Sequence, residues 1–287
     1  MNRSDTYVRP AAVAGMFYPH SATALSADVR SYLAAARSPD LGRPTPKALI
    51  VPHAGYIYSG PVAATAYVRL LPAHSTIRRV VLLGPAHRVA LRGIALPDAS
   101  AFSTPLGAID IDQDAAATLR RQSGIGISGA AHAEEHALEV QVPFLQSVLD
   151  RFTLVPLVVG YASGDEVAAV LDLLWGGDET VIIVSSDLSH YHRYADAQSI
   201  DRATADTILN EASTLDHEQA CGATPINGLL TVARRRALRV ELCDLRNSGD
   251  TAGDKSRVVG YAAFAFTERA GTNAQHALAT VEEEVVA

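Results

Sequence analysis

The sequence predicts a single α/β domain with a mostly parallel central sheet covered by helices on both faces and antiparallel additions near the C-terminus. Two observations carry that prediction. Short continuous apolar runs occur at 47–51, 79–83, 153–159 and 180–184, each ending in turn-forming residues; runs this short that are apolar throughout are the pattern of strands buried on both faces. Helical patterns separate them, as crossovers between parallel strands require.

In chain order, the first helix spans 21–36, with Ser21 as N-cap. The strand at 47–51 is followed by a helix over 62–71, and the strand at 79–83 by a hairpin-like excursion, 92–97 and 106–111, around a Ser/Thr/Pro segment. Helices follow over 113–122, 136–149, 165–174 and 197–212, with the strands at 153–159 and 180–184 between them. Another helix starts near Pro225, a residue suited to a first turn. The last third changes character: 237–245 and 256–266 read as antiparallel strands added to the sheet edge, and the exposed edge after 256–266 offers a surface through which two copies could pair. No internal repeat or Pro/Gly-rich linker divides the chain, so one domain over 8–266 is expected, with 267–287 as a flexible tail.

Composition narrows the function classes. Of 287 residues, 48% are hydrophobic and 19% charged, which excludes general disorder and fibrous architectures. The longest apolar stretches, such as 80–83 and 181–184, fall far short of the roughly 20 residues that cross a bilayer. The polar start lacks a basic-then-apolar leader, so a cytoplasmic location is expected. Net charge is −7, and the dense basic cluster 234–236 reads as the solvated end of a helix, which leaves no nucleic-acid footprint. Two cysteines build neither a disulfide framework nor a four-sulfur zinc site. Ten histidines are more informative, because imidazole is both the neutral-pH acid/base and the commonest metal ligand.

Ligand sites of open parallel sheets form beyond the carboxyl ends of the strands. The run 47–51 exits into Pro52-His53-Ala54-Gly55-Tyr56, the run 79–83 into Gly84-Pro85-Ala86-His87, and the run 180–184 into Ser185-Ser186-Asp187-Leu188-Ser189-His190-Tyr191-His192. Each histidine alone reads as a hydrogen-bonded structural residue. Their coincidence at the same end of successive strands points to a shared site holding His53, His87, Asp187 and His190. Glu134, Glu135 and Glu139 suit the positive end of a helix that begins near His136. Cys221 sits in a Gly/Pro turn before a helix, where the dipole favours a thiolate. Cys243 reads as a small buried hydrophobe, and Asp250 as a turn former or a group behind the ligands.

These motifs carry a family resemblance. Pro52-His53-Ala54-Gly55-Tyr56-Ile57-Tyr58-Ser59-Gly60, Gly84-Pro85-Ala86-His87, Glu135-His136-Ala137-Leu138-Glu139, Ser185 through Tyr191, and Cys221-Gly222 with Pro225 together resemble the Memo family, called AmmeMemoRadiSam system protein B in prokaryotes. The opening Arg9-Pro10 through Pro19 and the late Ser248-Gly249-Asp250 with Gly253-Asp254-Lys255-Ser256 are similar to it too, so the likeness covers about 9–266. The Memo fold is related to the class III, LigB-type extradiol dioxygenases, which use non-haem Fe(II). The resemblance implies His53, His87 and Cys221 as metal ligands, with Asp187 and His190 lining the pocket. A cysteine where those enzymes have a carboxylate argues against catechol ring cleavage, and it softens the site so that Cu or Zn competes with Fe(II).

The function so implied is a mononuclear Fe(II)-dependent oxidoreductase of dioxygenase or oxidase type, acting on a small molecule with O2. His190 is expected as acid/base with Asp187 fixing its tautomer. His136 is a further catalytic candidate, and Tyr56, His192 and Asp250 are candidate substrate contacts. The alternative is a non-catalytic copper- or iron-binding protein with a redox or peptide-docking role. A cysteine hydrolase built on Cys221 ranks last, since no oxyanion signature accompanies it; a zinc lyase or metallohydrolase also fits the residues.

Overall fold

The four apolar runs become neighbouring parallel strands, in the order β2 (Ala48–Val51), β9 (Thr180–Ser185), β3 (Arg79–Pro85) and β8 (Thr153–Val159). A computed structural model describes residues 7–36 and 43–268. Because strand side chains alternate, each strand feeds two cores. Leu49, Val51, Val80, Leu82, Val181 and Ile183 pack with α1 (Ala22–Ala36), α2 (Tyr56–Tyr67) and α6 (Val142–Val148). Ala48, Ile50, Val81, Leu83, Ile182 and Val184 pack with α3 (Gln113–Leu119), α7 (Gly164–Leu174), α8 (Tyr194–Leu209) and α9 (Ala223–Arg235). The expected two-sided α/β sheet is therefore present.

Antiparallel strands extend it at both sides. β12 (Val258–Thr267) pairs with β2, and both β11 (Arg239–Asn247) and β10 (His190–His192) pair with β12. β12 is thus occupied along both sides, which corrects the expectation of a free apolar edge at 256–266. On the far side, β4 (Ile94–Leu96) runs antiparallel to β8 and carries β7 (Ile125–Ile127). The excursion also differs from expectation: 92–97 joins the main sheet, while β5 (Ala101–Thr104) and β6 (Gly107–Asp110) form the hairpin. Its Ser/Thr-containing arm is β5 itself, and β1 (Val8–Arg9) adds to it in parallel. Most of the anticipated tail, 269–287, lies outside the described residues; Thr267 closes β12.

Helix ends follow local chemistry. Ser163 caps α7 in a reciprocal box with Glu166. The helix expected over 136–149 is two: α5 (His136–Glu139) and α6, because Pro143 has no N–H to return to the Glu139 carbonyl. Conversely, α2 starts at Tyr56 rather than at 62 and carries Pro61 inside it. Among the described residues no helix is long and apolar enough to cross a membrane.

Candidate functional site

His53, two residues beyond β2, is fixed from two sides. Its backbone N–H donates to Asp187 Oδ1 at 2.7 Å, and its Nδ1 lies 2.9 Å from Ser185 Oγ. That hydroxyl donates to the Ala137 carbonyl at 2.6 Å and accepts from Gln141 Nε2 at 2.7 Å. Its one proton is committed, so toward His53 it accepts. His53 therefore carries its proton on Nδ1 and offers a lone pair at Nε2, which stands 3.2 Å from Cys221 Sγ.

His87, two residues beyond β3, is held by Glu135. The backbone N–H donates to Oε2 at 2.6 Å, and Nδ1 lies 2.9 Å from Oε1. Glu135 also caps α5 by accepting from the Ala137 N–H at 2.9 Å. Burial raises the Glu135 carboxyl, but its bonds from His87 and Ala137 outweigh this and hold it down to about 2. An ionised carboxylate accepts only, so His87 donates from Nδ1 and its Nε2 faces outward.

His136 opens α5 and completes a cluster. The rings of His53, His87 and His136 stand 4.7–5.4 Å apart, and one ring nitrogen of each lies within 4.8 Å of the other two. His136 Nδ1 is buried and makes no hydrogen bond; Glu135 Oε1, at 3.3 Å, already accepts from His87 and Ala137. Burial and then the neighbouring imidazoles pull His53 down to about 3 and His136 to about 4. Both rings are neutral at pH 7, the form that binds a metal.

Cys221 reaches this cluster because of Gly222. A Cβ at Gly222 would meet Ser186 Cβ at 2.7 Å and the Ser185 carbonyl oxygen at 2.9 Å. Gly222→Ala is accordingly expected to destabilise the protein by about 1–3 kcal/mol, read from denaturant midpoints; an unchanged midpoint would show that the loop yields freely. The thiol corrects an expectation. Burial, then the nearby Asp187 carboxylate, push it up to about 12, overriding the helix N-terminus that was expected to favour a thiolate. Cys221 touches His53 but lies outside the mutually close group of three imidazoles.

The remaining expected residues divide. Asp187 is buried at the site, yet it braces the His53 backbone and makes no hydrogen bond to His190 among the described residues. His190 and His192 lie on edge strand β10, half-buried, with His190 close enough for its charge to act on Asp187 and His53. Tyr56 does not face a substrate space: its ring is in the core and its hydroxyl donates to the Val140 carbonyl at 2.6 Å. Asp250 takes the turn-forming role offered for it rather than that of a substrate contact: it accepts from the Asn247 N–H at 3.0 Å and from the Tyr194 hydroxyl as a helix cap. Glu135, Ser185 and Gln141 were missed. Glu135 carried a hint in its place before His136 and Ser185 in its place at a strand exit, while Gln141 has no sequence signal.

A cavity of about 880 Å³ opens beside His87 and Cys221, with Val89, Leu91, Arg92, Tyr161 and His217 in its wall.

An open, mostly parallel α/β sheet with an imidazole cluster, running from buried His53 to exposed His87, at the exits of β2 and β3 and the start of α5 defines the class to which the molecule belongs. The chain is a member of the Memo-like protein family, whose model matches residues 9–265. It is 37% identical over 279 residues to a MEMO1 family protein of Methanopyrus kandleri, covering 90% of this chain and 98% of that one. A MEMO1 family protein of Methanothermobacter thermautotrophicus is 35% identical over 277 residues, 89% and 99% of the two chains. One from Aquifex aeolicus is 33% identical over 276 residues, 90% and 99%. The resemblance read from the motifs therefore holds across the length of the fold.

Proposed function

We propose that this site holds one metal ion, Fe(II) by preference, and supports an oxidative reaction on a small molecule. The observation that carries the reading is the orientation of His53 and His87. In both, Nδ1 is tied to a fixed acceptor, which turns the Nε2 lone pair toward the site, as in ligating histidines; that of His53 meets Cys221 Sγ at 3.2 Å. The orphaned His136 Nδ1 and the donor set of imidazoles with a thiol suit a cation. His53, His87 and Cys221 would hold the ion, with His136 as the competing third donor. Zn²⁺ and Cu(I) also match nitrogen and sulfur donors. Fe(II) with few protein ligands would supply open positions for O2 and substrate.

The chain's own residues would do the rest. Glu135 and Ser185 keep the two imidazoles in the binding tautomer, Asp187 holds the His53 backbone, and His190 moves a proton to or from the substrate. The cavity beside His87 admits that substrate. A second reading, metal binding without turnover, is favoured by one fact: His190 lacks the Asp187 hydrogen bond that would tune it as a base.

The test is metal analysis of anaerobically prepared protein and its variants. Wild-type chain is expected to bind one ion, His53→Ala and His87→Ala to lose most of it, and Cys221→Ser to abolish the thiolate charge-transfer band of the Co(II)-loaded protein. If the wild-type Co(II) protein shows no such band and the ion is lost in His136→Ala, the third donor is His136. Full occupancy in a His53→Ala, Cys221→Ala double variant ends the metal reading. Oxygen uptake with Fe(II) and candidate phenols or amines separates turnover from mere binding.

A further inference from the structure

The cavity beside His87 and Cys221 has a one-sided charge. Arg92 is the one permanently charged side chain in its wall, and no described carboxylate lines it, in a chain whose net charge is −7. The Arg92 side chain has no hydrogen-bond or ion-pair partner among the described residues. Next to it stands Tyr161, 84% exposed and paired with Arg92 through an isolated backbone bridge.

The two are held together by a rigid backbone clasp. The Tyr161 N–H donates to the Leu91 carbonyl at 2.7 Å, the Gly93 N–H to the Tyr161 carbonyl at 2.8 Å, and the Gly160 N–H to the Gly93 carbonyl at 3.0 Å. A Cβ at Gly160 would come within 2.2 Å of the Leu91 carbonyl oxygen, so the two loops approach this closely only with glycine there. Apart from His87 and Cys221, which belong to the proposed metal site, the rest of the wall is apolar or already engaged. Val89, Leu91 and Val159 are hydrocarbon, and both His217 nitrogens are used, Nδ1 at 3.2 Å from the Cys221 carbonyl and Nε2 at 3.3 Å from Thr224 Oγ1.

We propose that this cavity selects a small anionic molecule: Arg92 pairs its carboxylate or phosphate, Tyr161 flanks it, the apolar wall takes its hydrocarbon body, and its other end reaches the proposed metal site. A guanidinium matches both kinds of oxyanion through paired N–H donors. Only the last part rests on the metal reading; the role of Arg92 does not.

The test measures binding of benzoate, phenyl phosphate and neutral benzamide to the full chain, metal-free and after Zn²⁺ addition, by calorimetry. Both anions, or the one of the two that fits, should bind at least about tenfold tighter than benzamide. Arg92→Gln should erase that preference, Arg92→Lys keep part of it, and neither alter Zn²⁺ uptake. Equal affinity for benzamide, no binding by any probe, or an anion preference that survives Arg92→Gln overturns the proposal. If wild-type chain takes up no Zn²⁺ yet keeps an Arg92-dependent anion preference, the metal reading fails and the anion site stands.

Discussion

Glu139→Gln should lower the stability of the protein by about 3–5 kcal/mol, the cost of leaving a buried charge without its partner. Arg9 is 1% exposed, and its guanidinium donates to the His132 carbonyl at 2.6 Å, the Glu135 carbonyl at 2.9 Å and Glu139 Oε2 at 2.6 Å. Glu139 in turn accepts from the Ala12 and Val13 N–H groups at 2.7 and 2.9 Å and from the Tyr18 hydroxyl at 2.6 Å. A glutamine turns an NH2 group toward donors and removes the charge that balances Arg9. Because these bonds tie the N-terminal segment to α5, the same change should weaken metal uptake through Glu135 and His136. Urea denaturation of Glu139→Gln, Arg9→Met and the double variant tests it. The double variant should recover part of the loss, since an apolar replacement of both partners removes the orphaned charge. A loss under about 1 kcal/mol in Glu139→Gln would mean that water enters and serves the network.

The strands and the exits that carry His53 and His87 were legible because burial on both faces leaves a local trace: a short apolar run that ends in a turn. What escaped depends on contacts between distant segments. Glu139 reads locally as a carboxylate near a helix start, and only packing against residues 9–18 makes it an acceptor for four donors. Tyr56 lies three residues from His53 in sequence, but the first turn of α2 sends its ring inward. Cys221 shows the same limit in its electrostatics, where a local helix terminus argues for a thiolate and the surrounding fold, by burying the sulfur, argues more strongly against one. Arg92 and Tyr161 gave no signal, because their meeting depends on the segments before β4 and after β8 being brought together by the pairing of those strands.

Metal-free protein should lose stability steeply between pH 7 and pH 5. His53, His132 and His136 have an ordinary value of 6.5, and in the fold burial lowers them to about 3, 4 and 4. Over the interval between those values the unfolded chain binds protons that the folded chain refuses, so stability is full above about 6.5 and falls as pH falls. Each depressed group costs about 1.4 kcal/mol per pH unit in that window, which for three groups reaches about 4–6 kcal/mol by pH 5. That is comparable with the whole stability of many domains. Glu135, held near 2 against an ordinary 4.5, extends the loss in the same direction below pH 4.5. His132 gives an internal control, because it lies outside the imidazole cluster, with Nε2 at 2.9 Å from the Ala95 carbonyl. Denaturant midpoints in chelator at pH 7 and 5 should converge by about a third in His132→Gln, which removes one titrating group of three. A saturating metal should raise the pH 7 midpoint and steepen the acid loss, since its ligands must shed protons to bind. Equal midpoints at pH 7 and 5 would show that water reaches these imidazoles and that they charge without opening the fold.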